Sequence, residues 1–229
     1  ESGGRVLSNC LLCDQELSNQ ESLRDLILMK KENLTMCDNC KNKFEQVSEA
    51  SCKTCCKKSS EISCEDCQEW ERKGKSVNHK ALYYYNEEMK EYFQKYKFQG
   101  DQLLAGLFAE EVKAALKKYK GYTIVPIPLS DKRNEKRGFN QVTAILESAG
   151  IPYQDLLIKK DTKAQSQKNK KERLKAEQAF ERKELENKSW PEKIMIMDDI
   201  YTTGATIERA KEMLHVNEVK EIRSFSLAR

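Results

Sequence analysis

The sequence has no apolar run long enough to cross a membrane, and charged residues make up 34% of its 229 positions. A membrane-spanning helix needs about 20 consecutive apolar residues, so we expect a soluble protein. The chain also shows no charged and apolar leader of the kind that directs secretion. Both absences favour a cytoplasmic protein.

Cysteine is absent after Cys67, so all nine cysteines lie in the first third of the chain. Charge divides at a similar place. Residues 1–78 carry 12 Lys+Arg against 14 Asp+Glu, a net charge of −2, whereas residues 79–229 carry 29 against 23, or +6. The asymmetry predicts two domains, at residues 6–72 and 79–229, and this chain length suits one core domain with a small appendage.

The motif G-x-x-x-x-G-K-[ST], which binds nucleotide phosphates in P-loop ATPases, is also missing. Its absence matters because those proteins have an apolar strand that ends in Asp-Asp, as residues 194–199 do here. The P-loop ATPase interpretation is therefore set aside.

What is present at residues 193–207 is the stretch K-I-M-I-M-D-D-I-Y-T-T-G-A-T-I. Its apolar run predicts a strand buried on both faces, and the apolar spacing after Thr206 predicts a helix. In a parallel α/β sheet, two acids and a helix N-terminus then meet at a strand's carboxyl end, where ligands bind.

The residues between that strand and helix suit a sugar phosphate. Free N–H groups and the helix dipole attract a phosphate, and threonine hydroxyls add donors. Gly204 lets the backbone approach the anion, and Asp198 and Asp199 can accept hydrogen bonds from ribose hydroxyls or help hold Mg²⁺. A polar turn with a threonine-capped helix is the simpler interpretation, but two acids, three threonines and a glycine within nine residues argue against it.

Eight cysteines form four C-x-x-C pairs, and Cys56 is left over. Without a secretion signal, this spacing indicates structural zinc rather than disulfides, because one tight turn presents two thiolates to a tetrahedral ion. Helix-forming residues after Cys40 and Cys67 predict two treble-clef-like units. We assign one zinc to Cys10, Cys13, Cys37 and Cys40, and a second to Cys52, Cys55, Cys64 and Cys67. An interleaved pairing or a single occupied site stays open, whereas redox-active pairs lack a thioredoxin-like context.

Zinc would change both the stability and the charge of this region. With few large apolar side chains, the region needs metal to fold. Two Zn(Cys)₄ sites would each add two negative charges, taking residues 1–78 from −2 to −6. Such a domain should avoid nucleic-acid phosphates, and we interpret it as a protein-docking module.

Strands and helices alternate after residue 79, which predicts a mostly parallel sheet flanked by helices. The predicted strands lie at 81–85, 122–128, 153–158, 194–197 and 219–227. The predicted helices lie at 89–96, 103–116, 142–149 and from 207. We interpret residues 129–141 as a loop carrying basic side chains. Residues 159–183, with ten basic and four acidic side chains, are predicted to form a mobile basic loop.

Several motifs together are similar to known families. D-D-I-Y-T-T-G-A-T resembles the phosphoribosyl pyrophosphate (PRPP) loop of type I phosphoribosyltransferases. Together with the cysteine pairs, K-F-Q-G-D, V-P-I-P-L-S, R-G-F-N-Q and S-F-S-L-A-R, it resembles ComF-type competence proteins from about Cys10 to Arg229. The fold so implied is α/β and type I phosphoribosyltransferase-like, with a small N-terminal zinc-binding domain.

The resemblance also implies roles for particular residues. PRPP would bind with Mg²⁺, with Asp198 and Asp199 facing the ribose hydroxyls. The 5′-phosphate would lie against Thr202, Thr203, Gly204, Ala205 and Thr206. The pyrophosphate would face Lys132, Arg133 and Arg137, and Gln165 and Arg173 would belong to a flexible loop.

The implied process is the handling of single-stranded DNA during natural transformation. The partner would be the helicase-like ATPase ComFA, at the inner face of the membrane through the uptake machinery. If the chain touches DNA directly, the charge distribution assigns the contact to the loops at residues 131–137 and 159–183, and within the second loop to Lys168, Lys170, Lys171 and Arg173. The alternative function is an active phosphoribosyltransferase with an unidentified base or nucleotide-related acceptor, although no base-selecting element is recognisable.

Overall fold

The computed structural model describes residues 8–17, 36–98, 102–159, 180–185 and 189–229. Its strands are β1 (Ser8–Asn9), β2 (Glu16–Leu17), β3 (His79–Tyr83), β4 (Thr123–Pro126), β5 (Leu157–Lys159), β6 (Phe180–Arg182), β7 (Lys193–Ile200) and β8 (Glu221–Ala228). Its α-helices are α1 (Asp38–Lys41), α2 (Glu65–Arg72), α3 (Glu87–Phe98), α4 (Ala109–Leu116), α5 (Asp131–Arg137), α6 (Gln141–Ser148) and α7 (Ala205–Leu214). Short 3₁₀ helices span Gln102–Phe108 and Lys117–Tyr119.

The central sheet has four strands in the order β3-β8-β7-β4, and every neighbouring pair is parallel. β7 lies between two strands, and its apolar run is buried on both faces as predicted. Ile194 and Ile196 face α7 on one side, whereas Met195 and Met197 face the core around α3, α4 and α6 on the other. This alternation follows from the two-residue period of a strand. The predicted α/β class, with a mostly parallel sheet, flanking helices and a cysteine-rich N-terminal region, is confirmed.

Both cysteine-rich segments pack against this sheet domain. Phe44, from the first segment, joins the aromatic core with its ring centroid 5.1 Å from that of Phe108. The second segment contributes buried cysteines to the apolar cluster around Val125 and Ile207. The domain boundaries at residues 72 and 79 stay a prediction.

Several predicted elements differ from the structure. The helix predicted after Cys40 does not extend beyond Lys41, where α1 ends. Residues 129–141 contain the helix α5, whose all-polar sequence has no apolar stripe to announce it. Ser130 precedes its first residue in an extended conformation without a side-chain capping bond, and Gly138 (φ 75°) ends it in the left-handed region with its N–H donating to the Asn134 carbonyl oxygen. The C-terminal glycine rather than core packing therefore defines where this helix stops. The predicted helix at 103–116 begins instead as a 3₁₀ helix.

A further difference concerns the strand predicted at residues 153–158. Only β5 forms, and it pairs antiparallel with β6 outside the central sheet. The first and last residues of the predicted basic loop therefore lie in or next to these two paired strands, and residues 160–179 lie outside the described part of the chain. Within the described ranges, no helix is long and apolar enough to span a membrane.

Candidate functional site

The structure brings the eight paired cysteines into two groups of four, with the ligand atoms of each group within 4.8 Å of one another. The groups are Cys10, Cys13, Cys37, Cys40 and Cys52, Cys55, Cys64, Cys67, the pairing assigned from the sequence. Four thiolates are the ligand set of structural tetrahedral zinc sites. Both groups could therefore hold a metal ion.

Backbone N–H groups orient the sulfurs. The Cys37 N–H donates to Cys10 Sγ at 3.4 Å, and the Cys64 N–H donates to Cys52 Sγ at 3.3 Å. Although burial raises the pKa of the Cys52 thiol, hydrogen bonds from the Thr54 hydroxyl and backbone N–H groups lower it to about 6. At Cys52 these donors favour the thiolate, the form that binds metal, whereas burial raises the pKa of Cys55 in the same group to about 11.

A cavity of about 320 Å³ opens at the carboxyl ends of β3, β4 and β7. Its lining brings together residues from all three predicted anion- or ribose-binding segments. Those residues are Arg133, Arg137, Asp198, Asp199, Thr202 and Thr206. Lys132 is exposed on α5 and is not among the lining residues.

The acidic residues Asp198 and Asp199 both line this cavity. The Asp199 carboxylate accepts a salt bridge from Lys97 Nζ at 2.6 Å, and both side chains are about 85% buried, with 15% and 14% exposed. Lys97 Nζ also lies 4.6 Å from the ring centroid of Phe93. Burial, aided by the negative charge of Asp199, raises the pKa of Asp198 to about 7. A cation or hydroxyl donor placed here would shift Asp198 toward its ionised form.

The loop before α7 is shaped to approach an anion. Gly204 has a φ of 85° and immediately precedes α7, and the Ala205 N–H lies 3.4 Å from Thr203 Oγ1. α7 has ten residues and its first turn contributes Thr206 to the cavity lining, so its free N–H groups and positive dipole end lie beside the cavity. Arg137, held by Gln141 Oε1 at 2.7 Å, adds positive charge at the cavity.

No sequence motif indicated a role in this site for Lys97, Lys159 or Tyr85, which also line the cavity. Lys97 was visible only as the first letter of K-F-Q-G-D, and Lys159 as one charge in a basic run. Burial and the charge of Arg133 lower the pKa of Lys159. The predicted residues Gln165, Lys168, Lys170, Lys171 and Arg173 lie outside the described part of the chain.

The chain is similar to competence protein ComFC of Streptococcus pneumoniae, with 43% identity over 96% of this chain and 99% of that protein. Competence protein ComFC of Bacillus subtilis is 33% identical over 100% of this chain and 98% of its own length. A hypoxanthine phosphoribosyltransferase structure from Staphylococcus aureus covers 53% of this chain and 61% of its own, with 16% identity and a TM-score of 0.32. No protein-family model matches the chain.

Proposed function

Because the chain belongs to the ComFC family of competence proteins, we propose that it binds PRPP with Mg²⁺ in the cavity at the carboxyl ends of its parallel strands. One observation supports this most directly: the same cavity is lined by two carboxylates, the first turn of a helix and basic side chains. A ribose with phosphate groups at two positions needs these three kinds of partner close together.

The charges divide the proposed site into three parts. Asp198 and Asp199 would accept hydrogen bonds from the ribose hydroxyls. The loop from Thr202 to Thr206 and the start of α7 would hold the 5′-phosphate. Arg133 and Arg137 would face the pyrophosphate, whose remaining charge Mg²⁺ would neutralise.

Changing both acids to amides should abolish PRPP binding while the fold persists. The Asp198→Asn, Asp199→Asn variant loses the acceptor-only groups and leaves Lys97 without its carboxylate. Titration calorimetry with PRPP and Mg²⁺ should show at least a hundredfold loss of affinity, about 2.7 kcal/mol. The matched control is Asp155→Asn, an exposed acid outside the cavity. Circular dichroism checks the fold, and unchanged affinity in the double variant would refute the placement.

An active phosphoribosyltransferase is the second candidate function. The observation that favours it is Tyr85, a residue that is 42% exposed and lines the same cavity. An exposed aromatic face beside a sugar-phosphate site can stack an acceptor base. Pyrophosphate release on incubation with PRPP and nucleobases would support this candidate, and binding without release would favour a ligand role.

We also propose that the protein handles single-stranded DNA in transformation together with the helicase-like ATPase ComFA, which would dock on the cysteine-rich region. Residues 159–183 carry +6, and Lys159, where this segment begins, lines the cavity. DNA bound by the segment should therefore compete with PRPP.

The four residues Lys168, Lys170, Lys171 and Arg173 should contribute to the salt dependence of DNA binding. Replacing all four with alanine should weaken oligonucleotide binding and flatten the slope of log affinity against log salt by about 0.7 per lost phosphate contact. The control removes four exposed lysines elsewhere: Lys113, Lys117, Lys118 and Lys120. Equal affinity and slope in wild type and the first variant would remove this segment from the DNA site. ComFA would then be the better candidate for the DNA-binding subunit.

A further inference from the structure

The second cysteine group is joined to the proposed phosphate loop by a hydrogen bond across 133 positions of sequence. Trp70 Nε1 donates to the Thr203 carbonyl oxygen at 2.8 Å. Trp70 lies on α2, which begins directly after Cys64 and carries Cys67 one turn before the indole. A metal held by these two cysteines would therefore fix the direction in which the indole N–H points.

Arg229 makes a second connection between the same two regions. Its guanidinium lies 3.1 Å from Asp66 Oδ2 and 3.6 Å from Cys55 Sγ, on the side of the cysteine group. On the other side it lies over the ring of Tyr201, 5.1 Å from the centroid, and 3.5 Å from the Tyr201 carbonyl oxygen. Its side chain is only 9% exposed, so these contacts are held in a largely water-excluded place.

Tyr201 connects Arg229 to the proposed phosphate loop, because it immediately precedes Thr202. Its ring stacks on His79 at 3.9 Å between centroids, and His79 is held by the hydroxyls of Ser224 and Ser226 at 3.0 Å each. The Tyr201 hydroxyl lies directly under Gly204, where an added Cβ would be 2.2 Å away. The loop therefore packs on the Tyr201 side chain, which is held between His79 of the sheet and Arg229.

A third set of contacts ties the segment after α2 to α7. Lys75 pairs with Glu212, and Lys211 Nζ donates to the Ser76 carbonyl oxygen at 3.0 Å. In the described structure, the region of the first cysteine group contacts α3 instead, for example through Lys95 Nζ, which donates to the Leu12 carbonyl oxygen at 2.7 Å.

We infer that Trp70 and Arg229 are positioning residues for the sugar-phosphate loop, so that metal at the second cysteine group and ligand at the loop stabilise each other. Without the metal, α2 loses its anchor and the Thr203 carbonyl loses a fixed donor. The loop then spends less time in its binding-competent form, which lowers the apparent affinity by that fraction. Coupling between two binding sites is reciprocal, so the ligand must retain the metal by the same factor. This inference rests on the proposed PRPP site.

The test measures zinc release and PRPP affinity on the zinc-loaded protein. In the wild type, saturating PRPP should slow transfer of one of two zinc equivalents to a chromogenic chelator and leave the other unchanged. Trp70→Phe removes the indole N–H but keeps an aromatic ring. It should keep both zinc ions, bind PRPP about tenfold more weakly, as one hydrogen bond of about 1.4 kcal/mol predicts, and lose most of the protection of zinc by PRPP.

Trp190→Phe is the matched control and should behave as wild type in both measurements. It also leaves Trp70 as the only tryptophan of a chain that has two, so its fluorescence should change on PRPP binding. That signal tests the contact even if Trp70→Phe does not fold. PRPP binding without any effect on zinc release, or with unchanged affinity in folded Trp70→Phe, would overturn the inference alone. Absence of PRPP binding to the wild type would overturn the proposed function as well.

Discussion

Replacing Gly204 with alanine should weaken PRPP binding at least a hundredfold, about 2.7 kcal/mol. The new Cβ would lie 2.2 Å from the Tyr201 hydroxyl oxygen and 2.8 Å from Tyr201 Cζ, at a backbone φ of 85°. Tyr201 is 4% exposed and is held between His79 and Arg229, so the loop must move instead. Displacement of the loop removes the donors proposed for the 5′-phosphate.

Gly150→Ala separates backbone strain from this clash. Gly150 also has a positive φ, of 64°, but an added Cβ there would meet no atom within 4 Å outside its chain neighbours. Left-handed backbone costs an alanine about 1 kcal/mol, so Gly150→Ala should lose about that much stability and keep its PRPP affinity. Calorimetry and thermal unfolding of both variants test this. Wild-type affinity in Gly204→Ala would show that the loop does not contact the ligand.

Cys55→Ala should lose one zinc ion, whereas Cys56→Ala should lose none. Cys55 belongs to the second group of four. Cys56 is its buried neighbour and points its sulfur at the His79 carbonyl oxygen, 3.8 Å away. Three thiolates cannot complete a structural tetrahedral site, and such a site contributes directly to folding. We therefore expect Cys55→Ala to lower the free energy of unfolding by at least about 3 kcal/mol.

The neighbouring substitution controls for burial without metal binding. Cys56→Ala empties a small volume in the same packed region, which should cost about 1 kcal/mol. Elemental analysis of the two purified variants and their thermal unfolding distinguish the two effects. Two zinc equivalents in Cys55→Ala, or one in Cys56→Ala, would contradict the assignment of the ligands.

Sequence pattern alone was enough to predict the elements that depend on residues close to them in the chain. Four consecutive apolar residues ending at Met197 indicated a strand covered on both faces, and the alternation of Ile and Met between two cores bears this out. The C-x-x-C spacing likewise predicted that the two cysteines of each pair meet, because a tight turn alone brings two thiolates together. Which two pairs share a group depended on the fold. The position of Asp198 and Asp199 followed from the strand that carries them.

Elements stabilised by distant or purely polar contacts were not visible in the same way. α5 has no apolar face, so no periodicity distinguished it from a loop, and its end at Gly138 became clear only in three dimensions. A strand was predicted at residues 153–158, but only β5 forms, and its pairing partner β6 lies beyond residues 160–179.

The sequence by itself therefore determined the central strand, its acidic end and the four C-x-x-C pairs, since each depends on neighbours within a few residues. Only the tertiary structure decided that Lys97 neutralises Asp199 and that Trp70 supports Thr203. These pairs are far apart in the chain, and either lysine or tryptophan alone is an ordinary residue of a helix. Their roles arise because the parallel sheet brings α3, α2 and the loop before α7 to one edge, where burial strengthens the pair of Lys97 and Asp199.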